Sequence, residues 1–289
     1  MALRSFLFVP ADSPRKLAKA LTSGADALIL DLEDSVAAAR KPAAREGAAQ
    51  ALAERAVDGP QLWVRINPLD TPYALADLAA VAGRAPDGIV LPKAEGGGCV
   101  QRLAHYLEAL EAQAHLALGA IRIMPIATET PAALFSVATY ARSSPRLAAL
   151  TWGAEDITAA LGAISNRDET GGYNFTCRMA RSLCLAGAHA AEAAAIETVY
   201  PDFRDLDGLS AYARAGRREG FSGMMAIHPD QVGLINTAFT PSPEEIAAAR
   251  RTVEAFAADP GAGVVSIDGK MFDLPHLKLA RRVLAAAES

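Results

Sequence analysis

An apolar run of strand length begins at Ala27 and ends among Asp31, Glu33 and Asp34, in the stretch ALILDLEDS. A strand covered on both faces reads as a continuous hydrophobic run, and acids crowded at its C-terminal end sit at the mouth of an α/β fold, where such folds place their chemistry. The pattern recurs along the chain. Candidate strands are Ser5–Val9, Ala27–Leu32, Gln61–Ile66, Gly88–Leu91, Ile121–Ile126, Leu147–Trp152, Ala194–Val199 and Gly223–Ile227. Helical stretches alternate with them, at Pro14–Ser23, Pro42–Ala56, Tyr73–Val81, Cys99–Ala114, Pro131–Arg142, Asn174–Ala188 and Leu206–Glu219. Asp12-Ser13-Pro14 and Thr130-Pro131 supply a cap followed by proline in the first helical turn. Eight βα units in about 250 residues match an α/β (β/α)8 TIM barrel. A doubly wound sheet is the second choice, but its Gly-rich turn after the first strand is missing.

The barrel is expected over residues 1–240. A C-terminal extension follows over 241–289: a helix from Glu244 to Ala258, a turn-rich break at Asp259–Gly263, and a final helix from Pro275 to about Ala287 with Leu277, Ala280 and Leu284 on one face. A barrel does not need this piece, so it reads as a helical arm or lid.

Composition narrows the function. With 289 residues, 51% of them hydrophobic, the chain can bury a large core. Its net charge of -5 comes from 28 basic and 33 acidic residues interspersed, with no basic stripe for nucleic acid or an anionic membrane. A small-molecule partner is expected. Cys99, Cys177 and Cys184 form neither a disulfide framework nor a zinc knuckle, and Cys177 and Cys184 read as core residues of one helix face. The N-terminus turns polar too soon for a signal peptide, and no apolar run spans a bilayer, so a soluble cytoplasmic protein is expected.

The strand ends carry the candidate chemistry: Asp31, Glu33 and Asp34; Arg65 and Asn67; Lys93; Glu129; Glu155 and Asp156; His228. On a barrel these converge on one rim, and gathered charges are costly unless paired or bound to something. Glu129 and Asp156 end consecutive strands. Two carboxylates without a His/Cys cluster suit a hard ion such as Mg2+ better than Zn2+. Glu155 faces another way, and Asp31 and Asp34 are placed to hold water on that ion from outside. Arg65 offers a fork for a carboxylate or a developing enolate oxygen, or a partner for Glu33. Lys93 is either a Schiff-base lysine or an ion-pair member, and the surrounding acids favour the ion pair. Glu95–Gly98 reads as a flexible turn rather than a phosphate cradle. His228 is an acid or base, or a strand-end histidine bonded to backbone, while Trp63 and Trp152 read as core.

Taken in order, RSFLFVPADSPRKLAKAL, GADALILDLEDSV, WVRINP, IVLPKAE, PIATET, WGAEDITAALG, GFSGMMAIHPDQV and DGKMFDLPH resemble the citrate lyase β-subunit-like branch of the HpcH/HpaI aldolase superfamily, close to malyl-CoA and citramalyl-CoA lyases. The resemblance covers essentially the whole chain. It implies a (β/α)8 barrel, bound Mg2+ on Glu129 and Asp156, and reversible carbon-carbon cleavage of a 3-hydroxyacyl-CoA thioester into a 2-oxo acid and an acyl-CoA. It makes Arg65 the substrate contact, borders the CoA moiety with Phe8, Arg15, Ile227 and His228, and makes Asp273 the acid that a neighbouring subunit's arm delivers within a homotrimer. Two positions depart from the family pattern: Met224, where lysine is frequent, and Glu197, where aspartate is frequent. A malyl-CoA thioesterase, and a citrate lyase β subunit acting on an acyl-carrier protein, are the alternatives on the same scaffold.

Overall fold

The computed structural model describes residues 3–288; Met1, Ala2 and Ser289, the ends of the two expected segments, lie outside the described residues. The apolar runs form eight parallel strands: β1 (Ser5–Pro10), β2 (Ala27–Asp31), β3 (Gln61–Arg65), β4 (Gly88–Leu91), β5 (Arg122–Pro125), β6 (Ala149–Leu150), β7 (Ala194–Glu197) and β8 (Gly223–Ala226). They pair in the order β5-β4-β3-β2-β1-β8-β7-β6. The two outer strands meet through parallel bridges at Ile123–Leu147 and Ile126–Thr151, which close the expected barrel.

Side-chain alternation divides the core in two. Phe6, Ala27, Ile29, Trp63, Val90, Met124, Ile196 and Met225 fill the barrel, whereas Leu7, Leu28, Leu30 and Val64 pack outward beneath the helices. Phe6 meets Trp63 edge to face at 5.9 Å. The seam between β5 and β6 breaks the regular pattern. Three steps separate Ile123 from Ile126 and four separate Leu147 from Thr151, so β6 carries one residue more than its partner. That surplus is a bulge. Ala148 and Ala149 both pack against the inner cluster, and the regular pairing expected over Leu147–Trp152 shrinks to two residues. Beyond the bulge Thr151 lines the mouth of the barrel, while Trp152 joins the outer core.

Around the strands lie α1 (Pro14–Leu21), α2 (Lys41–Ala53), α3 (Ala74–Val81), α4 (Gly97–Gln113), α5 (Pro131–Ser136), α6 (Ala154–Ala160), α7 (Phe175–Ala190), α8 (Leu206–Glu219) and α9 (Pro229–Phe239). The cap at Thr130 is made, its side chain accepting from Ala133 N at 3.2 Å, whereas Ser13 precedes Pro14 without a side-chain cap bond. The helix expected over Pro131–Arg142 is shorter. It tightens into a 3-10 turn over Val137–Tyr140, where β-branched Val137 and Thr139 weaken the α-helix and Tyr140 is drawn inward to donate to Ala94 O. The expected flexible turn at Glu95–Gly98 is also corrected: Gly97 and Gly98 open α4, and Gly97 N donates to Thr139 Oγ1 at 2.8 Å.

The extension begins with α10 (Pro243–Ala258), whose Ser242–Glu245 capping box is reciprocal. An antiparallel hairpin follows, β9 (Val264–Ile267) and β10 (Lys270–Asp273), then α11 (Leu274–Ala287). Asp268 and Gly269 turn this hairpin with φ of 53° and 75°, the doubly positive pair that a two-residue loop favours. Leu277 and Ala280 of α11 are buried where it packs on α10, and Arg217 of α8 ties α10 to the barrel through Glu245 at 2.9 Å. No helix among the described residues is long and apolar enough to cross a membrane.

Candidate active site

The C-terminal ends of the strands surround a cleft of about 100 Å3 lined by Phe8, Arg65, Ile126, Glu129, Thr151, Trp152, Gly153, Ala154, Glu155, Asp156, Thr198, Val199 and Met225. A larger depression of about 510 Å3 runs along α11, but Leu274, Leu277, Lys278, Arg281, Arg282 and Ala285 bring no acid to it. The ionisable groups converge in the smaller cleft.

On the β2–β4 side every charge has a protein partner. Arg65 grips Asp31 through two bonds of 2.7 Å and reaches Glu33 at 3.0 Å, with its guanidinium 4.7 Å from the Phe8 ring. Both Asp31 oxygens are taken, by Arg65 and by the amides of Glu33 and Ser35. Asp31 therefore does not hold water on an ion, which corrects that expectation; it holds Arg65. Burial alone would raise the Asp31 carboxyl, but the Arg65 bonds outweigh it and the group lies below the usual range. Behind this wall Lys41 donates to the carbonyls of Leu32 and Glu33 and to Asn67, which in turn bonds Asp77. Asn67 thus fixes the end of β2 from outside the cleft.

Lys93 bridges the two sides. Its ammonium lies 2.5 Å from Glu33, 3.3 Å from Asp34 and 3.5 Å from Asp156. Burial would lower its pKa, but these acids hold it well above the ordinary value, so it stays charged and the ion pair prevails over the Schiff base. Its φ of 51° is unusual for a lysine and turns its amide onto Glu129 Oε2 at 2.5 Å.

The β5–β6 side is different. Glu129 is buried, and its pKa is raised well above the usual range, first by burial and then by the charge of Asp156. Asp156, half-buried, stands in the first turn of α6. A Cβ on Gly153 would lie 2.9 Å from Glu129 Cγ, so the approach of this loop to Glu129 depends on glycine. Glu155 accepts from Asn166 at 2.8 Å, yet it also lines the cleft, so it does not turn fully away.

The model of the family described as HpcH/HpaI aldolase/citrate lyase matches residues 4–229. The chain belongs to this family. A citrate lyase subunit beta-like protein of Mycobacterium tuberculosis is 37% identical over 98% of this chain and 94% of its own length. A (3S)-malyl-CoA thioesterase of Cereibacter sphaeroides is 35% identical over 99% of this chain and 95% of its own length. The crystal structure of CitE from Mycobacterium tuberculosis in complex with magnesium, acetoacetate and coenzyme A superposes with a TM-score of 0.80 at 34% identity, covering 100% of this chain and 99% of that one. The HpcH/HpaI-family chain is accordingly an enzyme, of a family of carbon-carbon lyases.

Of the residues singled out in the sequence, Phe8, Arg65, Glu129 and Asp156 meet in the cleft. Ile227 is exposed at the end of β8, and His228 caps α9 through Asp230 N and stacks on Phe203 at 4.9 Å. Arg15 is exposed on α1. Asp273 does not line the cleft of its own chain. It caps α11 in a reciprocal box with His276, whose hydrogen bond is the main cause of its lowered pKa. The sequence reading missed Thr151, Thr198, Val199 and Met225, and took the cleft-lining Trp152 for core alone. Both threonines follow from strand alternation, Thr198 two residues after the inner Ile196 and Thr151 two residues after the inner Ala149.

Proposed function

We propose that this enzyme uses Mg2+ to cleave or form a 3-hydroxyacyl-CoA thioester of the malyl-CoA or citramalyl-CoA type, giving a 2-oxo acid and an acyl-CoA. The supporting observation is the Glu129–Asp156 pair, two acids turned to one small cleft with the buried one destabilised as an anion first by burial and then by the other. Among the described residues no group of three or more His, Cys, Asp or Glu side chains forms a ready metal cage. Two carboxylates at the mouth of a cleft fit a hard ion that keeps waters and completes its shell with substrate, as magnesium does. When bound there, Mg2+ supplies a Lewis acid for the carboxylate and adjacent oxygen of the oxo-acid half.

Arg65 contributes permanent charge. Burial lowers its pKa, Asp31 and Glu33 more than restore it, and its fork is fixed before substrate arrives. A donor so held stabilises the negative charge that develops on the thioester oxygen as the carbon-carbon bond breaks. Phe8 with Arg15, Ile227 and His228, around β1 and its neighbour β8, borders the CoA moiety. Asp273 reaches the cleft of a neighbouring chain on its arm in a homotrimer; as the carboxylic acid it gives its proton to the enolate carbon, and as the carboxylate it takes the acyl α-proton in the reverse direction. We place the enzyme in the cytoplasm. Asp273→Asn is expected to abolish exchange of the acetyl-CoA methyl protons while leaving Mg2+ binding intact; unchanged exchange excludes Asp273. Mixed oligomers of Asp273→Asn and Glu129→Ala chains are expected to regain activity, and failure in demonstrably mixed oligomers places the site within one chain.

The thioesterase relative favours a second reading, hydrolysis at the same cleft. Product analysis separates the two: free 3-hydroxy acid with CoA marks hydrolysis, and a 2-oxo acid with acyl-CoA marks cleavage.

A further inference from the structure

Glu197 ends β7 fully buried, and the chemistry above does not use it. Strand alternation turns it away from the cleft: Ile196 before it packs inside the barrel, and Thr198 after it lines the cleft. Its carboxylate is well bonded. Oε1 accepts from Trp152 Nε1 at 2.6 Å, Tyr212 OH at 2.8 Å and Thr198 N at 2.9 Å, and Oε2 accepts from Arg181 Nε at 2.7 Å. α8 passes close by at Gly216, where a Cβ would lie 3.1 Å from Glu197 Oε2. A buried ion pair returns little net stability for its desolvation, so this one matters for what it holds.

It holds Trp152. The indole donates to Glu197, meets Tyr173 edge to face at 5.2 Å and lines the cleft. Backbone bonding to the β5 segment ends one residue earlier, where Thr151 O accepts from Ala127 N at 2.7 Å. Trp152 is followed by Gly153, which approaches Glu129, and then by the first turn of α6 with Asp156. Ala154 and Ile157 seat α6 in the outer core, but Gly153 caps it without a side-chain hydrogen bond. Among the described residues the Asp156 carboxylate has one ion pair, with Lys93 at 3.5 Å, and accepts no hydrogen bond. A tryptophan side chain has two torsions, so an indole packed on its face and bonded at its N–H leaves its own backbone little freedom.

We propose that Glu197 is a positioning residue: through the Trp152 indole it sets where the Trp152–Asp156 segment stands, and so how Asp156 meets Glu129 across the ion site. The inference rests on the Mg2+ reading above.

Two variants of the full chain separate holding from charge. Glu197→Gln keeps an oxygen where three donors converge and loses the charge facing Arg181; Glu197→Met loses both at similar length. Both should melt lower, since Arg181 is left with Glu219 alone. Only Glu197→Met frees the indole. Calorimetric titration with Mg2+, without turnover, should give near wild-type affinity for Glu197→Gln and about tenfold weaker binding for Glu197→Met. The emission of Trp152, taken as the difference from the matching Trp152→Phe protein, should shift in Glu197→Met and not in Glu197→Gln. Trp152→Phe removes the N–H and leaves the Glu197–Arg181 pair intact. It should weaken Mg2+ about as much as Glu197→Met, and the double variant should be no weaker than either. Should Glu197→Met fail to fold, Trp152→Phe set against Glu197→Gln decides, and equal affinities overturn the proposal. Losses that follow melting temperature alike in Glu197→Gln and Glu197→Met, or additive losses in the double variant, mark a structural ion pair and also overturn it. Mg2+ binding by wild type keeps the metal reading standing in each of those cases. If wild type binds no Mg2+, that reading falls and takes this inference with it.

Discussion

The two sides of the cleft solve the problem of buried charge in opposite ways. On the β2–β4 side, Asp31, Glu33, Arg65 and Lys93 pair their charges with one another, with Arg65 bonded to Asp31 twice and Lys93 bonded to Glu33; only Glu33 Oε2, 3.0 Å from Arg65, makes no hydrogen bond, and burial raises the Glu33 carboxyl. On the β5–β6 side, Glu129 faces Asp156 at the expense of its own ionisation, and Thr151 has no protein partner. A self-satisfied ionic wall has nothing to gain from a ligand, so its contribution is a fixed shape and field. An under-satisfied wall gains most when a cation or an acceptor arrives. The difference assigns preorganisation to one side and ligand capture to the other.

The largest effect expected from breaking this contrast is on activity. Glu129→Gln should lower turnover about a thousandfold, because it removes one of the two carboxylates proposed to hold the ion. The same variant should melt at or above the wild-type temperature without added Mg2+, since a strained anion is gone. A marked loss of stability would place Glu129 with the self-satisfied side.

On the other side the loss should fall on stability. Asp31→Asn leaves Arg65 buried beside a single acid and should cost about 3–5 kcal/mol at neutral pH, measured by urea unfolding. Asp31 has a depressed pKa in the folded state, so its contribution is fully present above the unfolded value near 3.9 and is lost as pH falls through the folded value. The gap between wild type and variant should therefore close on acidification below about pH 4. A gap that stays constant to pH 2 would show that the Asp31 charge is not what matters.

The smallest effect sharpens the boundary between the sides. Gly153→Ala pushes a methyl toward Glu129 Cγ and should weaken Mg2+ about tenfold, with little change in melting temperature. Unchanged affinity would show that Glu129 can shift without loss.

This contrast also explains how far the sequence could be read. The ionic wall was legible because each member ends an apolar run, and a barrel gathers strand ends on one rim. Glu129 and Asp156 were legible for the same reason. Thr151 was not singled out, although it alternates with the inner Ala149, because a neutral hydroxyl at a strand end lacks the signal that gathered charges give. The β9–β10 hairpin did leave a signal. Asp268-Gly269 between β-rich runs is a two-residue hairpin turn, obscured by reading the segment as a connection between helices. Asp273 is a different case. Its own chain places it as a helix cap away from the cleft, so the role drawn from family resemblance depends on a second chain.

The shared ion site is tested by titrating Mg2+ into wild type, Glu129→Gln and Asp156→Asn, followed by calorimetry in the presence of a 2-oxo acid. Wild type is expected to take up one Mg2+ per chain and both variants to lose that site while still folded. Undiminished binding in either folded variant would contradict a shared site.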